Sequence, residues 1–139
     1  MPSANALILT KRLADAYFTG SFKFMLVSSL PSESDFDTFD FRNDVTNEVA
    51  ATGTYVAGGS AITCTVGAVD ATNNRVAVTW GNPAAWTGAT ISAVGGWIYK
   101  AVGSAATDDL IGFVDFGATI TSTNATFTVT LTTPTYINR

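Results

Sequence analysis

Thr126-Phe127-Thr128-Val129-Thr130-Leu131-Thr132 alternates apolar and hydroxyl side chains without a break. Successive side chains of an extended strand point to opposite faces, so a strict period of two describes a strand with one buried face. The segments before it read the same way. Leu110–Phe116 is a near-continuous apolar strand. Thr90–Val94 and Trp97–Ala101 flank Gly95-Gly96, where a bulge or tight bend is expected. Ala61–Val69 and Arg75–Trp80, both rich in β-branched residues, surround Asn73-Asn74, which reads as a hairpin turn. Asn82-Pro83 interrupts the ladder, and Gly53 and Gly58-Gly59 punctuate the chain upstream. Phe22–Ser28, bounded by Gly20 and Pro31, is short and apolar enough for a buried strand.

Only the beginning differs. Residues 5–19 read as a helix whose Ala6, Leu9, Leu13 and Ala16/Tyr17 share one face, with Asn5 as the cap and Gly20 as the stop. The expected fold is mainly β: an antiparallel β-sandwich or partly open, jelly-roll-like barrel of about seven or eight strands with one N-terminal α-helix. A parallel α/β sheet is excluded, since no helices alternate with the strands. The 139 residues suit a single domain, with 1–20 as a helical segment and 119–139 as a C-terminal strand and tail.

Charged residues make up 13 % of the chain and hydrophobic ones 47 %. Soluble domains average about 25 % charged residues, so this surface falls short of charge. That suits a protein whose faces are covered by neighbours, because obligate interfaces are poor in charge. A threonine-rich domain with a quiet surface is the plainer reading. The net charge is −4 and the seven cations are scattered from Lys11 to Arg139, which argues against nucleic acid and against anionic membranes as partners. No apolar run approaches the ~20 residues of a membrane span. No secretory signal is expected either, since Lys11 and Arg12 follow the apolar Ala6–Leu9 run instead of preceding it. The lone Cys64 excludes an internal disulfide and fits a reducing cytoplasm.

The chain has no histidine, which removes the usual general base and the commonest transition-metal ligand. Cys64 has no nearby cation or helix start in sequence and reads as a core thiol. Six of the eleven acidic residues fall within 31–48, interleaved with Phe36, Phe39 and Phe41. Carboxylates gathered on one loop lack the opposed walls of a glycosidase cleft. Asp35, Asp37 and Asp40 offer hard oxygen ligands for Ca²⁺, but the usual calcium-loop spacing and its distal Glu are missing. No resident metal or cofactor is therefore expected, and no enzyme. The three phenylalanines anchor this loop on its own core or on a partner. Trp86 and Trp97 could form a carbohydrate platform, against the ordinary role of large aromatics in a core.

One ordered set of residues carries a resemblance: Asn47-Glu48-Val49, Tyr55, Gly58-Gly59, Trp86-Thr87, Ile98-Tyr99-Lys100, Leu110-Ile111 and Asp115-Phe116-Gly117. It spans roughly residues 6–118 and resembles a widespread family of small virion structural proteins of tailed bacteriophages. The resemblance implies a role in the particle. The preferred expectation is a capsid decoration (cement) protein, a homotrimer bound to the major capsid protein on the capsid surface after synthesis in the bacterial cytoplasm. A tail or neck component and a carbohydrate-binding adhesin are the alternatives. The residues expected to meet partners are Leu9, Leu13, Tyr17, Phe36, Phe39, Phe41 and Trp86.

Overall fold

The structure is a computed structural model and describes residues 6–139. The proposed cap Asn5 lies outside the described residues. The fold is mainly β, with antiparallel sheets and an N-terminal α-helix. The described residues gather into two compact units: 6–20 with 63–82 and 131–139, and 21–62 with 83–130.

In the first unit α1 (Leu7–Tyr17) packs on a three-stranded sheet of β3 (Cys64–Asp70), β4 (Arg75–Trp80) and β9 (Thr135–Asn138), with β4 in the middle. The β3–β4 turn falls at Asn73-Asn74 as expected. Asp70 accepts the Asn73 N–H, and Asn74 takes φ +54°, a conformation asparagine tolerates better than most residues. Val76 and Val78 alternate inward on β4 and are fully buried. Phe18 meets Trp80 edge-on at 6.0 Å, and the Trp80 indole N–H donates to Thr135 Oγ1 at 3.0 Å.

The second unit holds a four-stranded antiparallel sheet in the order β2-β1-β6-β7: β2 (Ser60–Ile62), β1 (Ser21–Val27), β6 (Ser92–Ala101) and β7 (Asp109–Thr121). A two-stranded sheet of β5 (Trp86–Ala89) and β8 (Ala125–Phe127) belongs to the same unit. Strand β1 is central and apolar on both faces. Met25 and Val27 join Trp97 and Tyr99 in one cluster, while Phe22, Phe24 and Leu26 are buried from the other side of the pleat.

Three expectations are corrected. The Ala61–Val69 run is two strands, β2 and β3, which belong to different sheets. The segments Thr90–Val94 and Trp97–Ala101 join in one continuous strand, β6, from Ser92 on, and the bulge expected at Gly95-Gly96 is present as a register shift against β7 between Ala93 and Gly95. A Cβ at either residue would come well inside 3.0 Å of backbone oxygens and of the Phe113 or Phe24 ring, so these glycines make room for aromatics laid over the sheet. The alternating run 126–132 buries Phe127, Val129 and Leu131 as its period demands, yet only Ala125–Phe127 is laddered. Periodicity reports which side chains are buried, and that does not require a neighbouring strand.

Candidate functional site

Helix α1 turns a different face inward from the one its leucines mark. Leu7, Thr10, Lys11, Ala14 and Phe18 are buried or half-buried, and they recur at helical spacing. Leu9 is 42 % exposed, Leu13 60 %, and Ile8 and Tyr17 also lie open. The expected partner residues Leu9, Leu13 and Tyr17 thus form an apolar row one turn apart on the outer side of the helix. Lys11 is held by Asp15 one turn on.

The acidic segment is structured, as its three phenylalanines implied, but it holds helical turns where a loop was expected. It forms α2 (Glu33–Thr38) and a 3₁₀ turn (Arg42–Asp44). Its carboxylates do local work. Asp35 accepts the Ser32 N–H at 2.7 Å to close the capping box of α2. Asp44 accepts the N–H groups of Asp40 and Phe41, which hold its carboxyl below the usual range. Among the described residues no three acidic, cysteine or histidine side chains come together as a metal-binding group, the weak calcium candidates Asp35, Asp37 and Asp40 included. Phe39 packs on Trp97, and Phe36 reaches both Trp97 and Phe113 while remaining 51 % exposed. Phe41 is 37 % exposed and its backbone bridges to Asp109. Phe36 and Phe39 therefore anchor the segment on the unit's own core, and Phe36 and Phe41 keep open surface.

Trp86 is corrected outright. It is 1 % exposed, donates to Ser60 Oγ at 2.8 Å and packs against Tyr55 and Phe127. Trp97, at 5 %, is covered by the phenylalanines named above. Neither indole presents a platform to a sugar. Cys64 is half-buried on β3, at the margin of the core and not enclosed within it.

Behind the acidic segment lies a buried polar network. The Tyr55 hydroxyl accepts the Leu26 N–H at 3.0 Å and donates to the Glu48 carboxylate at 2.9 Å. Glu48 also accepts the Gly58 N–H, and the Tyr99 hydroxyl donates to the Gly58 carbonyl at 2.6 Å. Arg42 lies over the Tyr99 ring and pairs with Asp108 at 2.9 Å. Asp108 is buried, which pushes its carboxyl up. N–H donation from Val102, the Arg42 bond and charge, and the Gly103 N–H outweigh that and hold it below the ordinary value. Desolvation raises both phenols, Tyr99 to about 12. Arg42 and Asp108 went unmarked in the sequence; the signal was that Arg42 is the one cation within 31–48.

The arrangement can pin loops and present surface: Arg42 and Asp108 pair with each other, and Asp35, Asp44 and Glu48 accept backbone N–H groups. In comparisons with known proteins, no family model, no curated protein and no solved structure matches the chain.

Proposed function

We propose that the chain is a structural protein of a tailed-bacteriophage particle, and within it a capsid decoration protein that binds the major capsid protein lattice as a homotrimer. The observation that carries this reading is the open row Leu9, Leu13 and Tyr17 on α1, set on a chain with only 13 % charged residues. Contiguous apolar surface of this kind marks protein–protein contact. The resemblance of the ordered residue set to small virion proteins supports the biological setting.

The mechanism is linkage. A protein that binds the assembled shell and not its separated subunits shifts the equilibrium away from rupture. Modest contacts repeated over a lattice add through multivalency. No catalytic step is needed. The test is copy number per purified particle, by mass spectrometry against the major capsid protein. Hundreds of copies, and particles that burst more readily without the protein, are expected. A dozen or fewer would move the chain to the neck or tail and end the decoration reading.

A further inference from the structure

Strand β7 is an edge of its sheet and the longest strand of the described residues. Its start is covered, because Leu110 donates to the Asp40 carbonyl and Arg42 donates to that of Asp108. Beyond Leu110 no strand pairs with its outer side among the described residues. The register with β6 jumps from Gly95↔Asp115 to Ala93↔Ile120, so Val94 alone faces Phe116–Thr119. Such a bulge breaks the ladder and re-aims the strand. Asp115 steadies it by accepting the Gly117 N–H at 2.7 Å, with Gly117 at φ +75°.

A cleft of about 210 Å³ opens at this bulge, lined by Leu30, Val94, Asp115 and Ala118. A second, of about 240 Å³, shares the exposed Leu30 and is lined also by Asp35, Phe39, Asn47 and Trp97. Each is smaller than the ~300–1,000 Å³ of a small-molecule site, so each suits a single side chain. Both have an apolar wall and one carboxylate. Residues 31–48 carry six carboxylates against Arg42, a local net of −5 on a chain whose total is −4.

We propose that this groove docks an extended segment of a partner protein that carries lysine or arginine at spaced positions. The aliphatic stems lie along Leu30, Val94 and the aromatic wall, and the cationic heads reach Asp115 and Asp35. A second copy of this chain does not fit, since no two of its seven cations, Lys11, Arg12, Lys23, Arg42, Arg75, Lys100 and Arg139, stand two residues apart. The inference deepens the virion reading and rests on it only for where the partner is found.

The test uses the full chain and a labelled, capped Lys-Val-Lys-Val-Lys-Val-Lys peptide, with Glu replacing Lys in the control, read by fluorescence anisotropy. Saturable binding of the cationic peptide alone is expected, weakening at high salt. Asp115→Lys replaces attraction with repulsion and should weaken binding about tenfold. Ala118→Trp, at an exposed site, should fill the cleft and do the same without changing the circular dichroism. Equal binding of both peptides, or indifference to both variants, overturns the proposal. Dimers in sedimentation that Ala118→Trp abolishes would also overturn it, assigning the groove to a second copy. Copy number in particles is independent: hundreds of copies without peptide binding would sink the groove alone, and peptide binding without copies would sink the virion reading alone.

Discussion

Replacing Tyr55 by Phe tests whether the buried polar network holds the second unit together. The ring stays, still edge-on to Trp86 at 5.1 Å, and only the hydroxyl goes. Two bonds go with it. The Leu26 N–H, buried in the central strand, loses its hydroxyl acceptor, which costs about 1–3 kcal/mol. The bond to the Glu48 carboxylate, as a charge-assisted one, contributes about 1.5–3 kcal/mol. Glu48 is half-buried and keeps the Gly58 N–H, so water recovers part of that second amount. The net expectation is about 2–4 kcal/mol of lost stability. For a chain of this length that corresponds to a fall in Tm of roughly 6–15 °C. Urea unfolding should show a lower midpoint at unchanged slope, since the surface exposed on unfolding is the same. A loss below about 0.5 kcal/mol, the scale of an ordinary surface change, would refute the argument that this hydroxyl is a structural crosslink.

Other substitutions probe other parts of the reasoning. Gly59 has φ +73° and its missing Cβ would fall well inside 3.0 Å of the Phe24 backbone, so Gly59→Ala should cost more than about 3 kcal/mol; near-normal soluble yield and Tm would contradict this. Burial raises the Tyr55 and Tyr99 phenols above their ordinary value of 10.0, so the fold favours their neutral forms. That stability is whole below pH 10.0 and declines as pH rises towards about 12, where Tyr99 ionises in the folded state; an alkaline titration followed by tyrosinate absorbance should show it, and Tyr99→Phe should flatten the decline. Asp108 is depressed below 3.8, so its contribution is present above that pH and lost as pH falls through the lower folded value; Asp108→Asn should remove this acid sensitivity in a pH-dependent melt and lower stability near neutrality. Leu13→Glu, at a residue 60 % exposed, should change stability by no more than about 0.5 kcal/mol and yet abolish incorporation into particles; normal incorporation would end the case for the α1 row.

Strand content was legible where a period of two, or an apolar run between breakers, left one option. Arg75–Trp80 has the bounds its sequence implied, and β1 differs by one residue at each end. Legibility failed where a local pattern had to stand for a distant partner. The run 126–132 buries the right side chains and still leaves the ladder after Phe127. The glycine pair 95–96 marked the bulge beside it but hid the continuity of β6, because the Phe24 and Phe113 rings that need its missing side chains come from two other strands. Helix α2 was hidden because aspartate and serine have low intrinsic helix propensity; its capping box, Ser32 with Asp35, was the usable signal.

The site divides along the same line. Glu48, Tyr55, Gly58 and Tyr99, scattered over fifty residues of sequence and members of the ordered set, meet in one hydrogen-bonded network. Gly59 and Asp115-Gly117, from the same set, fix a close backbone approach and the β7 bulge. Their shared reason is the scaffold, which is why no single piece of the set read as chemistry. The surface open to a partner comes mostly from residues outside it: Leu9, Leu13 and Tyr17 on α1, and Leu30 and Phe36 beside the acidic segment. Helical periodicity grouped the α1 leucines correctly but could not say whether their face looks inward. That choice was made by small and amphipathic residues, Thr10, Ala14 and Lys11, which let the helix lie close on its sheet. Scaffold and surface are therefore separable everywhere but at Asp115, which both steadies the bulge and lines the groove: substitutions in the network should change folding, while substitutions on α1 and at Ala118 change only what the protein holds.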